Sequence, residues 1–377
     1  MVDTSLRAEL IARGAAQWRD PQSRVRERAR AALHDSAWSA QVIESALDDV
    51  LFDLDEERAR MLAVESANVD ARPILVVLPG NIIGPTIASA FCAATAGANI
   101  ILKSPGDERM LAPILAEQFE SLGRPLAGTI DARYWKGGDP EIEPAVFAAV
   151  RKIIAFGSDE AIDAIGPRAP VPVRGFGISY SIGFVTKSAD TTQAASGAAR
   201  DIAMFDQRGC MSPQTIYVEG DEARALLFAH ALDAELRRAS DTLPRARISR
   251  DEAAAVAMAI RKLSVSALAP KTHGLDTLMR GPEIDGVPGY TVVVEPTGPP
   301  TIEGFGRIVS VKPCESMETL LRIERAASIR LESLGYAGDV PSELLAQLMQ
   351  SGFVRVCPLG EMQRPPFGYR PTVEDFA

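Results

Sequence analysis

Histidine and cysteine are both scarce in this 377-residue chain: His34, His230 and His273 on one side, Cys92, Cys210, Cys314 and Cys357 on the other. The cysteines lie far apart, with no CxxC or CxxH spacing, so neither a structural zinc site nor any other metal centre is expected. No histidine stands in a recognisable partner motif for a cysteine, which disfavours a papain-like hydrolase. A G-x-G-x-x-G fingerprint is absent too, so a standard Rossmann reading finds no support. No apolar run approaches the ~20 residues of a membrane span. The first residues, Met-Val-Asp-Thr-Ser-Leu-Arg, lack the charged-then-apolar layout of a secretory leader. The expectation is a cytoplasmic protein with reduced thiols. Basic excess is missing as well: the net charge is −10, and an Arg-rich stretch (Arg19 to Arg30) is followed by an acidic one (Asp48 to Glu57). Both read as solvated helix faces, and no nucleic-acid partner is expected.

What is present has the rhythm of an α/β protein. The length favours two domains. Residues 1–70 carry apolar positions at helical spacing, such as Leu47, Val50, Leu51 and Leu54. The period then changes: Ile74 to Leu78 is a short apolar run ended by Pro79-Gly80-Asn81, which reads as a strand buried on both faces of a parallel sheet. A small-residue helix (Pro85 to Ala96), a strand (Asn99 to Leu102), a helix (Glu108 to Leu122) and a strand (Lys152 to Phe156) follow, and Gly157-Ser158 opens a further helix. This order predicts a doubly wound sheet, with ligands at the carboxyl ends of its strands. Further along, helices are expected at 194–204, 222–238, 251–263, 317–330 and 342–350, and strands at 215–218, 290–294, 307–311 and 354–356.

Cys210 lies in Met204-Phe-Asp-Gln-Arg-Gly-Cys-Met-Ser-Pro-Gln214, where a helical pattern gives way to the β-type run Thr215-Ile-Tyr-Val218. A thiol at such a junction, beside Gly209, is sterically open and placed for backbone N–H groups to aim at it, as a nucleophile attacking a carbonyl requires. The plainer reading is a buried, inert cysteine. Other positions are equally double. Asn81 makes an Asx-turn or donates to a developing oxyanion. Lys103, with Ser104, is an ordinary solvated lysine or holds ribose hydroxyls or a 2′-phosphate. Ser158 caps a helix, or with Gly157 receives a pyrophosphate. Glu303, in Glu303-Gly-Phe-Gly-Arg307, is a surface carboxylate or binds a ribose.

Taken in chain order, these segments resemble the aldehyde dehydrogenase superfamily from about residue 70 onward. Pro79-Gly80-Asn81 occupies the place of its Pro-x-Asn motif, and Lys103-Ser104-Pro105 looks like Lys-Pro-Ser with the last two residues exchanged. Phe156-Gly157-Ser158 is similar to Phe-x-Gly-Ser, Gly209-Cys210 to the nucleophile, and Glu303-Gly304-Phe305-Gly306 to Glu-x-Phe-Gly. The resemblance implies an aldehyde dehydrogenase-like fold, with N-terminal helices and a dinucleotide-binding domain over 1–188 and a catalytic domain over 189–345. A C-terminal segment, 346–377, is expected to pack on the cofactor domain or a neighbouring subunit. Cys210 and Asn81 are then catalytic, and Lys103, Ser104, Gly157, Ser158, Glu303 and Phe305 bind the cofactor.

One departure narrows the resemblance. Hydrolytic members carry a general-base Glu before a Gly-Gly pair upstream of the nucleophile; the corresponding stretch, Val173 to Ser181, holds no carboxylate. An acyl-enzyme without an activated water is resolved otherwise, which favours thioester exchange. Arg208-Gly-Cys-Met-Ser-Pro-Gln214 and Cys357-Pro-Leu-Gly-Glu-Met-Gln-Arg-Pro-Pro-Phe-Gly368 look like the fatty acyl-CoA reductases that serve bacterial luciferase. That branch implies reduction of an acyl-CoA or acyl-carrier protein to an aldehyde, in a homo-oligomer, with Arg208 a candidate for lowering the thiol pKa. Gly106, where an acidic residue would repel a 2′-phosphate, favours NADPH over NADH. The alternatives are an acylphosphate reductase of the same superfamily and a non-catalytic dehydrogenase-like binding subunit.

Overall fold

The apolar runs at 74, 100 and 152 form strands because they are buried on both faces and flanked by helix-forming stretches. A computed structural model of the chain describes residues 4–34, 36, 38–63, 70–269, 271–327 and 329–377. The N-terminal helices are α1 (Thr4–Arg19), α2 (Arg24–Leu33), α3 (Ala40–Asp49) and α4 (Glu56–Leu62); the remainder of the expected helical stretch, 64–69, lies outside the described residues. Then come β1 (Ile74–Val77), α5 (Gly84–Ala96), β2 (Ile100–Lys103), α6 (Leu111–Leu122) and β3 (Ile130–Arg133), followed by α7 (Glu143–Ala149), β4 (Lys152–Phe156), α8 (Asp159–Ile165) and β5 (Val173–Phe176). These strands form one parallel sheet in the order β3-β2-β1-β4-β5, with Ile74 facing Ile100 on one side and Lys152 on the other. The chain starts in the middle, winds to one edge and returns to the other, leaving a switch point at the carboxyl ends of β1 and β4. One face of the sheet packs Leu75, Ile101 and Ile153 against Trp135, Val146 and Phe147.

The second sheet is built from β6 (Tyr180–Val185), α9 (Thr191–Ala203), β7 (Pro213–Glu219), α10 (Glu222–Thr242) and α11 (Arg250–Ser266). Short pairs follow, β8 (Lys271–Thr272) with β9 (Leu275–Asp276) and, beyond β10 (Leu278–Arg280), β11 (Glu283–Ile284) with β12 (Val287–Pro288). The unit is completed by β13 (Thr291–Val294), β14 (Ile308–Cys314), α12 (Met317–Ala327), β15 (Leu331–Ala337), α13 (Ser342–Gln350) and β16 (Arg355–Pro358). Seven strands pair in the order β10-β13-β14-β7-β6-β15-β16, parallel except for β10. Side-chain alternation splits the core: Ile216, Val218, Val309 and Val311 face α9 and α10, whereas Tyr217, Phe184 and Leu334 pack with Leu320 and Leu348.

Two compact units result: Met1–Ser36, Ile43–Ile178 and Arg364–Ala377 form the first, Ala37–Val42 and Ser179–Gln363 the second. β6 lies in the second because its backbone pairs with β7 and β15. The C-terminal residues lie in the first, where Lys152 Nζ donates to Asp375 O at 2.6 Å and Phe367 N to Asp53 Oδ1 at 2.9 Å. Two expected boundaries move for local reasons. The helix expected from Glu108 begins at Leu111, because the Glu108 carboxylate accepts from the Met110 and Leu111 N–H groups and serves as a cap. The helix expected to reach Arg330 ends at Ala327, and the buried strand β15 follows; its Glu332, Ser333 and Gly335 hide the apolar pattern of a core strand.

Candidate active site

The four cysteines fall into two classes. Cys92, Cys314 and Cys357 are buried, while Cys210 is half-exposed, and none forms a disulfide. Cys92 Sγ donates to Pro371 O at 3.3 Å and Cys314 Sγ to Ser316 O at 3.2 Å. Burial pushes the Cys92 and Cys314 thiols up and raises that of Cys357 to about 12, so these three stay protonated and unreactive at neutral pH. Cys210 is thus the most accessible of the four thiols.

The segment leading to Cys210 is strained. Helix α9 ends at Ala203, and Phe205, Asp206 and Gln207 then take φ values of 52°, 50° and 60°, three consecutive non-glycine residues in the left-handed region. Each such residue costs of order 1–2 kcal/mol, so the run persists only where surrounding contacts overdetermine it. They do. Asp206 is buried; Oδ1 accepts from Arg307 Nε at 2.6 Å and Oδ2 from the Ala246 N–H at 2.9 Å. Arg307, wholly buried and itself at φ 56°, donates Nη2 to Leu243 O (2.7 Å) and Ala203 O (3.1 Å). Gln207 Nε2 donates across the turn to Pro213 O at 2.9 Å. After the cysteine, Ser181 Oγ donates to Cys210 O at 2.7 Å and accepts the Ser333 N–H at 3.0 Å, which ties the turn to β6 and β15.

The same ion pair holds the Glu303 loop. Gly306 N donates to Asp206 O at 3.0 Å. Gln214 exchanges both amide bonds with Gly304, accepting its N–H at 3.1 Å and donating to its carbonyl at 3.4 Å, while Thr215 Oγ1 does the same with Thr301 at 2.8 Å each way. A Cβ on Gly306, at φ 91°, would stand 2.7 Å from Val256 Cγ2, so glycine is required there. Glu303 is not bare: Lys262 Nζ, from α11, donates to Oε1 at 2.7 Å. Phe305 is half-buried against α11, 5.4 Å from the Arg208 guanidinium. Arg208 also lies 5.6 Å from the Trp38 ring and pairs with Glu252 at 2.7 Å.

The Cys357–Gly368 motif wraps a buried carboxylate and touches the Arg208–Gln214 motif beside it. Asp201, on α9, accepts the Gly360 N–H at 2.6 Å and the Met362 N–H at 3.1 Å, and Gln363 Nε2 donates to Ser212 Oγ at 2.9 Å, two residues past Cys210. Burial raises the Asp201 carboxyl to about 7 against the pull of these N–H donors. Glu332, also wholly buried, accepts from Ser179 Oγ at 2.7 Å. The stretch 173–181 thus has a carboxylate beside it after all, supplied by β15 rather than by its own sequence.

The remaining candidates belong to the first unit. Asn81 is exposed in the loop after β1. Lys103 ends β2, its ammonium 5.3 Å from the Trp135 ring centroid; burial lowers its pKa while Glu143 opposes the shift. Ser104 is buried, with its N–H on Arg133 O at 2.8 Å. Gly157 follows β4, its N–H on Phe176 O at 3.4 Å. Ser158 is the N-cap of α8, accepting the Ala161 N–H at 3.2 Å, and Asp159 and Glu160 crowd that first turn with negative charge. The structure therefore links the loop that carries Glu303 and Phe305 to the turn that leads to Cys210 through Asp206 and Arg307, and gives Ser158 a local capping role. Lys262, Gln214, Asp206, Arg307 and Glu332 escape sequence reasoning, since their partners stand 41 to 153 residues away along the chain.

Among the described residues no helix is long and apolar enough to cross a membrane. The long-chain acyl-protein thioester reductase of Photorhabdus laumondii is 28% identical over 250 residues, 65% of this chain and 49% of that protein. Long-chain acyl-protein thioester reductase 2 of Photobacterium leiognathi is 29% identical over 191 residues, 49% of this chain and 40% of that one. The matched stretch is thus about half the length of these relatives or less. In fold the chain superposes on an NAD-dependent benzaldehyde dehydrogenase from Corynebacterium glutamicum with a TM-score of 0.74 at 18% identity, covering 99% of this chain and 82% of the other. The fold is that of the aldehyde dehydrogenases. The profile of the acyl-CoA reductase (LuxC) family matches residues 10–370, and the chain belongs to that family.

Proposed function

We propose that the protein reduces an acyl thioester, carried by CoA or by an acyl-carrier protein, to an aldehyde through a thioester on Cys210. The observation that carries this reading is the half-exposed thiol, set apart from three buried ones on a strained turn that is braced from both sides. Cys210, as thiolate, attacks the thioester carbonyl; the new C–S bond forms, and the tetrahedral oxyanion collapses with loss of the carrier thiolate, which takes a proton from water. Exchange of one thioester for another is nearly isoenergetic, so the protein's task is to stabilise the oxyanion, which we assign to the Cys210 backbone N–H and the Asn81 side chain. A reduced nicotinamide, when bound, supplies a hydride to the acyl carbon. Cys210 then leaves as thiolate from the thiohemiacetal oxyanion, releasing the aldehyde.

At the carboxyl ends of the first sheet the donor set fits a dinucleotide in part. Lys103 is a half-buried cation at the end of β2, and a Cβ on Gly106 would meet no atom within 4 Å, so that loop offers open space beside the charge. The α8 turn fits less well, because its cap hydroxyl is engaged and its first turn is acidic. We assign Lys103 and Ser104 to the adenosine ribose, Gly157 and Ser158 to close backbone approach, Glu303 and Phe305 to the nicotinamide end, and NADPH to the cofactor. A cytoplasmic homo-oligomer completes the proposal.

The test is to supply NADPH with a panel of acyl-CoA and acyl-carrier thioesters of increasing chain length, following both NADPH loss and product. Aldehyde with stoichiometric NADPH oxidation supports the reading. Carboxylic acid as the product, or turnover of acylphosphates alone, defeats it.

A further inference from the structure

We infer that Arg109 binds the 2′-phosphate of the cofactor and sets the preference for NADPH, an inference that rests on the cofactor assignment above. In doubly wound sheets the adenosine ribose is read at the end of the second strand, by a carboxylate where the 2′-hydroxyl is free and by a nearby arginine where it is phosphorylated. Here that strand ends at Lys103, and the loop Ser104 to Met110 leads to α6. Of the two acidic groups of this loop, one is occupied by the backbone and the other leaves Arg109 unpaired. Glu108 is consumed as the cap of α6, and Asp107 forms no ion pair with Arg109.

Arg109 is pre-set rather than loose. Its Nε donates to Gly106 O at 3.0 Å, and its guanidinium lies over the ring of Tyr134, just past β3, with Cζ 3.6 Å from the centroid. The ring contact and one hydrogen bond through Nε hold the guanidinium and engage neither Nη group, and a guanidinium with both Nη groups to offer can clamp a phosphate. No described carboxylate lies within ion-pair distance of Arg109, whereas its neighbour Arg133 is spent on Asp131 at 2.5 Å. Arg109 thus stands in the loop that follows Lys103, with no carboxylate among the described residues paired to its charge.

The experiment measures equilibrium binding of NADPH, NADH and 2′,5′-ADP to the full chain, wild type, Arg109→Gln and Tyr134→Leu. The wild type is expected to bind NADPH more tightly than NADH. Arg109→Gln should weaken NADPH and 2′,5′-ADP by about tenfold to a hundredfold, the scale of a charged hydrogen bond, with NADH changed by less than about twofold. Tyr134→Leu should show a smaller loss in the same direction. If the wild type prefers NADPH and Arg109→Gln keeps that preference, the role of Arg109 is refuted while the cofactor assignment stands. Equal loss for NADPH and NADH refutes it as well. A wild-type preference for NADH overturns the cofactor assignment and this inference together.

Discussion

The loops at the carboxyl ends of β1, β2 and β4 and the turn around Cys210 are both candidate chemistry, yet they are built differently. In the first unit several side chains answer to their immediate neighbours: Ser158 caps its own helix, Glu108 accepts from the first N–H groups of the next one, and Arg109 bonds to Gly106 three residues away. In the second unit most of the constraints are long-range, the Gln207–Pro213 bond across the turn excepted. Asp206 and Arg307 are 101 residues apart, Ser181 reaches Cys210 across 29, and Gln363 reaches Ser212 across 151. A loop that only receives a ligand can be set by local caps. A turn that carries the proposed nucleophile just after a left-handed run needs cross-links that the rest of the fold supplies.

That contrast breaks or sharpens under four changes. The largest effect is expected for Cys210→Ala, which should remove aldehyde formation by about 10⁴-fold or more while Cys357→Ala stays close to wild type; steady-state rates decide it. Next comes the buried pair: Asp206→Ala and Arg307→Ala each strand a buried charge and should cost about 3–5 kcal/mol by urea unfolding, with the double variant losing less than the sum. Additive losses would mean that the pair does not act as a unit.

Asp201 gives a pH signature. Its folded carboxyl, at about 7, lies above the unfolded value of 3.8, so the folded state binds the extra proton between those limits. Its contribution to stability is therefore greatest at low pH and falls as pH rises from about 4 to about 7, then levels off. Asp201→Asn should flatten that part of the curve of Tm against pH, and a slope that survives the change refutes the assignment. The smallest effect belongs to the first unit. Ser158→Ala should cost about 1 kcal/mol, the worth of a helix cap, with little change in acylation of Cys210. A loss matching that of the Asp206 variants would erase the distinction between the two regions.

Legibility in the sequence follows the same divide. The strands at 74, 100 and 152 were readable because two-face burial writes itself as an unbroken apolar run, and Ser158 because capping is a local code. β15 was not, since a buried carboxylate and a glycine interrupt it, and β6 is likewise punctuated by Ser181 and Gly183. The cysteine was legible through its flanking residues. Its bracing was not: nothing near Asp206 announces Arg307, and the amide of Gln214 finds Gly304 only once β7 and β14 are side by side. Lys262 on Glu303 carries no local signal either.

The most direct test of the account is to incubate the full chain with a long-chain acyl-CoA without nicotinamide, quench it in acid, and map the acyl group by peptide mass spectrometry. The account predicts one acyl group per chain, on the peptide containing Cys210, removed by hydroxylamine and discharged as aldehyde when NADPH is added before the quench. An acyl group on Cys92, Cys314 or Cys357 instead, or a chain that forms aldehyde while never carrying the acyl group, would contradict it.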